Sequence, residues 1–511
     1  MKPQAVELPF SFQSLGIAAG LKAAAERSPG KIAYTQGVRE RSYAALVDRV
    51  DRVTTALLAR FGLAPGQHIA IIAKNSIEYM EIVFGAAQAG LPIATINPRL
   101  SVPELVAICD DAEARVVVAD PESAAALKAA HFATVTDVVT IGPEFEALLA
   151  KARPLARMPD VQEWGVFTIP YTSGTTGKPK GVLVSHRSRA LSLFGMAAEY
   201  GCFGPDDRFL AIAPMCHGAG MIFSLAPVFF GGHCEVMDKF EPVEVFRRLR
   251  AGAMTGFFGV PTHFHAMMSL EARVLEAERP QELRAVISNA AALPQTMKER
   301  LVAYFGEGLL HETYGSTEAG IVTNLRPADQ LRKQQCVGQP FPATRVELRR
   351  DDGSLCGTDE VGELFSSSPY LFNGYWRKPE ATEEAWKAGW VTVGDLARRD
   401  ADGHYYIVDR KKDMVISGGV NLYPREIEEV LLRHPGIAEG AIVGVPDEKW
   451  GERLKAFVVR KPGAAISAES VTAFCEGRIS AMKTPKDVVF IDQIPRNANG
   501  KVLKTELRRR S

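Results

Sequence analysis

Residues 171–182 read Y-T-S-G-T-T-G-K-P-K-G-V. Gly174, Gly177 and Gly181 free the backbone, Thr172, Ser173, Thr175 and Thr176 offer hydroxyls, and Lys178 and Lys180 bring positive charge. The spacing departs from the G-x-x-x-x-G-K-[ST] phosphate loop: two residues separate Gly174 from Gly177, and Pro179 follows Lys178 where a magnesium-binding hydroxyl would stand. That proline disfavours a helical Lys178, so a helix starting at the lysine is not expected. The apolar runs V-F-T-I-P-Y (166–171) and G-V-L-V-S-H (181–186) predict a loop joining two strands. Composition alone also fits a Gly/Ser-type linker. Two lysines favour an anion, with N–H groups and hydroxyls wrapped around a polyphosphate.

Outward from this loop, strand-like runs alternate with helix-like ones. H-I-A-I-I-A (68–73), R-V-V-V-A-D (115–120) and D-V-V-T-I-G (137–142) read as strands, and the long 43–60 run as a helix. That rhythm predicts an α/β protein with largely parallel sheets. Between about 339 and 406 the texture changes to short strands with frequent Gly and Asp turns, a β-rich subdomain. After V-D-R-K-K-D (408–413) a compact α+β segment closes the chain.

At 511 residues the chain is long enough for more than one domain. Lys+Arg and Asp+Glu are equal at 60 each, so no net field draws it to nucleic acid or anionic lipid. Arg508 to Arg510 read as a solvated tail. The seven cysteines are an odd, scattered set without a C-x-x-C pair, which fits a reduced protein without a cysteine-built zinc site. M-K-P-Q-A-V-E-L-P-F lacks the basic and then apolar pattern of a signal peptide, and M-I-F-S-L-A-P-V-F-F (221–230) is too short to span a membrane and carries a proline. A cytoplasmic enzyme without integral membrane association is the expectation.

Six motifs then occur together and in order: the opening loop, Y-G-S-T-E (314–318), Gly394-Asp395, D-R-K-K-D (409–413), S-G-G-V-N-L-Y-P (417–424) and N-G-K (499–501). In this the chain resembles the adenylate-forming superfamily over nearly its whole length. Within it the chain is similar to acyl-CoA synthetases (fatty-acyl, aryl and halobenzoate CoA ligases) and, more distantly, to luciferases and peptide-synthetase adenylation domains. The resemblance implies stacked α/β sheets plus a β-rich subdomain over 1–409, a hinge at 410–413, and a small mobile α+β domain over 414–511. It implies two half-reactions: a carboxylate and Mg-ATP give acyl-adenylate and pyrophosphate, and the coenzyme A thiol then displaces AMP. A different acceptor, a carrier protein or a luciferase-like oxidation, is the alternative.

Residue by residue, the resemblance implies that Thr172, Ser173, Gly174, Thr175, Thr176, Gly177 and Lys178 close over the β- and γ-phosphates. Tyr314 would lie against the adenine, with Ala290, Ala291, Thr313 and Gly315 around the nucleotide. Thr317 would sit at the α-phosphate, Glu318 at magnesium, and Asp395 and Arg410 at the ribose. Lys412 would be the hinge, Lys501 the adenylation lysine, and Gly418 and Gly419 the passage for pantetheine. Trp450, with Met482 and Lys483, would meet the nucleotide end of CoA. His217 in P-M-C-H-G (214–218) would gate the substrate carboxylate, and Val260 and Asn289 would line the acyl pocket. Taken singly these residues have plainer readings: Glu318 a helix N-terminal acid behind Ser316, Asp395 a turn acid, Arg410 a surface arginine, Lys501 a tail lysine, His217 a core histidine, and Gly418-Gly419 a bare turn.

Asn289 and Ala290 stand where many relatives have two glycines, so a shorter or more polar pocket is expected. Thr313 stands where malonyl ligases resemble one another in carrying an arginine. An aromatic or short-to-medium-chain monocarboxylate is therefore the expected substrate, and a homodimer is compatible with this reading. Two other motifs fail: S-A-M-K (480–483) lacks its K-T-G and S-D-N partners, and G-A-G-M-I-F (218–223) lacks the third glycine of a dinucleotide fingerprint.

Overall fold

Strands buried on both faces read as near-continuous apolar runs, and of those singled out above I-A-I-I at 69–72 fits best. In the computed structural model, which describes residues 12–173, 179–496 and 502–510, His68–Ile72 and Ile93–Ile96 are strands buried along their whole length. They pair in parallel with each other, and Ala114–Ala119 and Asp137–Thr140 extend the parallel set. With Val166–Thr168, Tyr171–Ser173, Pro179–Ser185 and Gly374–Tyr375 they form an eight-stranded sheet. A nine-stranded sheet runs in the order Gln339–Pro340, Gly320–Leu325, Leu310–Ser316, Ala285–Ser288, Gly256–Gly259, Arg208–Ala211, His233–Val236, Ile32–Gln36, Arg39–Ser42.

The main core lies between these sheets. Ile69, Ile71 and Val116 from one and Phe209, Cys234 and Ile287 from the other join one apolar cluster, with residues of helices Tyr43–Thr55, Ile77–Ala89, His186–Tyr200 and Gly218–Phe229 between them. Helix Ile77–Ala89 is buried at all thirteen positions and has no solvent face; its buried acids are paired, Glu78 with Arg39 and Glu81 with Arg41 and Arg49. Ser76 caps its start by accepting from the Tyr79 N–H, and Gly90, at φ +69°, ends it.

The opening loop joins two strands, as its flanks predict. Tyr171–Ser173 pairs antiparallel with Pro179–Ser185, Tyr171 opposite Gly181 and Ser173 opposite Pro179. Gly174, Thr175, Thr176, Gly177 and Lys178, at its tip, lie outside the described residues.

The β-rich segment forms a six-stranded sheet, with Asp395–Arg399 and Tyr405–Arg410 paired antiparallel at one side. The last part of the chain builds its own five-stranded sheet around two separate apolar clusters. The chain changes sheet between Arg410 and Val415 through a turn in which the Asp413 and Met414 N–H groups donate to the Arg410 carbonyl at 2.9 and 3.1 Å. Of the C-terminal arginines, Arg509 and Arg510 are exposed, as a solvated tail requires, Arg510 pairing with Glu506 at 2.6 Å; Arg508 departs from that reading by pairing with Asp413 at 3.0 Å. Among the described residues no helix is long and apolar enough to cross a membrane.

Candidate active site

Two consecutive strands and a third far from them in sequence meet at Asp395. Tyr314 projects from strand Leu310–Ser316, Asp395 begins strand Asp395–Arg399, and Arg410 ends strand Tyr405–Arg410, where it is the cross-strand partner of Asp395. The Tyr314 hydroxyl donates to Asp395 Oδ2 at 2.6 Å, and Arg410 Nε lies 3.2 Å from Oδ1. Burial, and then the Asp395 charge, raise the Tyr314 phenol well above its ordinary pKa, so it stays a donor. Gly394 holds φ +77° ahead of the aspartate and sets its approach. Gly315 is required for a different reason. A Cβ there would lie 2.1 Å from the Gly320 carbonyl oxygen across the hairpin.

Beside Tyr314, buried Thr313 accepts from Asn289 Nδ2 at 2.6 Å and donates to the Ser288 carbonyl at 3.3 Å. Asn289 Oδ1 also accepts from the Ala290 N–H. Ala290, next to Ala291, holds φ +76°, a left-handed conformation that glycine adopts far more readily.

Glu318 does not open a helix, contrary to its plainest reading. Thr317, Glu318 and Ala319 form the turn between strands Leu310–Ser316 and Gly320–Leu325, tightened by an Ala319 N–H bond to the Ser316 hydroxyl at 3.0 Å. Buried Glu318 accepts from the Tyr375 hydroxyl at 2.8 Å. The Lys180 ammonium lies 5.1 Å from the Tyr375 ring centroid. Tyr375 was missed by sequence reasoning. Its signal is a register, Tyr375 opposite Val182 next to the glycine-rich loop, that no motif spacing carries.

His217 is the N-cap of helix Gly218–Phe229, and its side chain makes no capping bond. Burial, aided by the Arg99 charge, lowers its pKa to about 4, so the imidazole is neutral at neutral pH. Val260 precedes helix Pro261–Met268 and packs on the central apolar cluster, as does Ala219.

In the C-terminal domain Gly418 and Gly419 hold φ +58° and +79°. The Gly418 N–H donates to the Trp450 carbonyl at 2.8 Å, and a Cβ on Gly418 would lie 2.7 Å from the Trp450 ring. Gly418 and Gly419 are the two-residue turn between strands Val415–Ser417 and Val420–Leu422, as their plain reading has it; at Gly418 the missing side chain also seats the tryptophan, while Gly419 borders open space. Trp450 keeps 49% of its surface exposed. Lys483 is bound by both oxygens of Glu426, at 2.8 and 2.7 Å. Lys412 is exposed in the inter-sheet turn. Lys501 lies outside the described residues, as does the loop tip 174–178.

Comparison with known proteins gives this geometry its family. Residues 21–376 match the model of the AMP-binding enzymes, and residues 426–501 that of the AMP-binding enzyme C-terminal domain. The 2-succinylbenzoate–CoA ligase of Geobacillus kaustophilus (strain HTA426) is 35% identical over 492 residues, covering 96% of this chain and 97% of its own. A feruloyl-CoA synthase of Amycolatopsis sp is 35% identical over 495 residues, 95% and 97% of the two chains. Among solved structures, ATP-bound MatB from Rhodopseudomonas palustris superposes with a TM-score of 0.89 at 30% identity, over 98% of this chain and 99% of that one; its apo form gives 0.80 over the same shares. The chain belongs to the AMP-binding enzyme family, the adenylate-forming superfamily, as an acyl-CoA synthetase-like, AMP-forming acid–thiol ligase.

Proposed function

We propose that the chain joins an aromatic carboxylic acid to coenzyme A through an acyl-adenylate. The observation that carries the nucleotide half is the convergence of Tyr314, Asp395 and Arg410 from three separate strands. A carboxylate with one oxygen on a phenol and the other on a guanidinium is fixed in orientation. It suits the two hydroxyls of a ribose, with Tyr314 flanking the adenine and Thr313, Gly315, Ala290 and Ala291 nearby. The aromatic acid follows from relatives named for succinylbenzoate and ferulate.

In the first step the substrate carboxylate oxygen bonds to the α-phosphorus of ATP and the bond to pyrophosphate breaks. Two anions approach, so donors and cations must balance the developing charge. The proposed set is Thr317, Lys501 and the glycine-rich loop with Thr172, Ser173 and Lys178. His217, neutral by burial, can donate a hydrogen bond at the acyl side without trapping the carboxylate in an ion pair, and Val260 and Asn289 form the adjoining wall. In the second step the CoA sulfur bonds to the acyl carbon and AMP leaves, with CoA reaching the site past Gly418, Gly419 and Trp450. The proposed boundaries are 1–409 and 414–511, with a hinge at 410–413.

Magnesium belongs to the same proposal, and the donor chemistry fits it. Glu318 presents a hard oxygen ligand whose orientation Tyr375 fixes. Among the described residues the one cluster of three possible protein ligands is Asp400, Asp402 and His404, where Lys333 Nζ already lies 2.8 and 2.6 Å from the two aspartates. An ion at Glu318 would therefore take its other ligands from phosphate oxygens and water, as Mg2+ commonly does. When bound it would neutralise phosphate charge. A cytoplasmic location completes the proposal, supported by cysteines that are all unbonded.

The test is pyrophosphate release with a panel of benzoates, cinnamates and straight-chain acids, with and without CoA. We expect acid-dependent release, thioester formation only when CoA is present, and preference for the aromatic acids. Release that no acid stimulates, or product transfer to an acceptor other than CoA, would refute the reading.

A further inference from the structure

Arg189, on helix His186–Tyr200, keeps only 8% of its surface exposed. Among the described residues it makes no ion pair, and its Nε donates to no partner. Burial alone lowers its pKa, to about 10, with no nearby carboxylate acting against that fall. A buried charge is ordinarily paired, because desolvation without a partner is costly.

The guanidinium lies near a second positive feature. Its Nη2 stands 4.0 Å from where a Cβ on Gly218 would be, at the first residue of helix Gly218–Phe229. That helix start has no side-chain cap, so the positive end of its dipole lies in the neighbourhood of the arginine with no side-chain acceptor on it. Without an anion these two features repel. The surroundings are apolar: Ala190, Leu193, Met221 and Ile222 are buried in one cluster, with Ala219 and Val260 packed on it.

We infer that Arg189 and the start of helix Gly218–Phe229 bind a second, anionic oxygen of the acyl substrate, distinct from the carboxylate that reacts. The reacting carboxylate is the poorer occupant. It loses its charge on becoming the acyl-adenylate, which would leave Arg189 unpaired midway through the reaction, whereas a second anion persists through both steps. The inference rests on the acid-activating reading above and narrows its substrate class to an aromatic acid bearing a phenolate or a further acid group.

The experiment compares the full-length protein with Arg189→Met and Arg189→Lys, using benzoate, meta- and para-hydroxybenzoate, isophthalate and terephthalate. Acid-dependent pyrophosphate release is expected to favour acids with the second anionic oxygen over benzoate by roughly 10² or more in kcat/KM. Arg189→Met is expected to erase that preference through KM while keeping turnover of benzoate, and Arg189→Lys to restore part of it. The hydroxybenzoate and dicarboxylate arms separate the two sources of the anion. An unchanged ranking in Arg189→Met, or equal loss with every acid including benzoate, overturns the inference. Thermal unfolding with the acids alone, without ATP, gives a second readout that needs no turnover. The preferred acid should raise the Tm of the parent protein and not of Arg189→Met, whose unliganded Tm should match or exceed the parent's. A destabilised or misfolded Arg189→Met would show that Arg189 is already satisfied by the fold, and would equally overturn the inference. If no acid drives pyrophosphate release but the Tm shift follows Arg189, the acid-activating reading fails and the anion site stands.

Discussion

Asp395 engages a donor with each oxygen, Tyr314 on one side and Arg410 on the other. Its removal should therefore be felt by ATP and not by the acid. In Asp395→Ala we expect the KM for ATP to rise roughly 10–100-fold, the worth of one or two hydrogen bonds to a charged group, with little change in the KM of the acid. An ATP titration at saturating acid checks this, and an unaltered KM for ATP would remove Asp395 from the nucleotide site. Tyr314, Asp395 and Arg410 were legible in the sequence because each sits in a short motif with fixed neighbours. Tyr375 and Arg189 were not. The role of Tyr375 comes from a cross-strand register and that of Arg189 from the absence of a partner, and neither leaves a trace in local spacing. The reverse error occurred at Arg508, whose partner Asp413 is 95 residues away in the chain.

Strands buried on both faces announced themselves as unbroken apolar runs, so the parallel sheets were legible as elements. The turn carrying Glu318 was not, because an acid two residues after a serine fits a helix start as well as a hairpin. The decision is made by pairing: Leu310–Ser316 and Gly320–Leu325 lie antiparallel, and only a short turn can join them. In the neighbouring loop Ala290 holds φ +76° and is exposed, so no packing compensates its conformation. A left-handed L-residue costs about 1–2 kcal/mol, partly offset in the comparison by the greater chain entropy that glycine loses on folding. Ala290→Gly should therefore stabilise the protein by about 0.5–1 kcal/mol. Urea unfolding at neutral pH would measure it, and a loss of stability would mean that the Ala290 methyl makes a contact outweighing the strain.

For the molecule as a whole, six histidines have pKa values lowered by burial from their ordinary 6.5, five of them to about 4: His186, His217, His233, His263 and His311, with His68 the sixth. Below about 6.5 the unfolded chain binds protons that the folded one refuses, so stability is lost as pH falls toward 4. Three carboxylates raised by burial, Glu81, Asp409 and Glu429, act in the opposite direction but are fewer. Denaturant midpoints should accordingly fall between pH 6.5 and 4.5, and a midpoint constant over that range would contradict the assignment. The proposed hinge makes a separate prediction. The same relative superposes at 0.89 with ATP bound and 0.80 without, at equal identity and coverage, a difference of arrangement rather than of sequence. Here the arrangement is tied across the junction by Asp409, which accepts from the Arg425 N–H at 3.0 Å, and by the Arg508–Asp413 pair. Lys412 lies between these ties, and its N–H donates to no carbonyl among the described residues. A proline there removes no backbone bond and acts only by fixing φ near −65°. If the two half-reactions need two arrangements of the C-terminal domain, Lys412→Pro should separate them. Pyrophosphate should still form, at least as a single turnover, while thioester formation falls by orders of magnitude. Rapid-quench measurement of both products decides the matter: thioester formed at the parental rate would place the hinge elsewhere or show that no rotation is required.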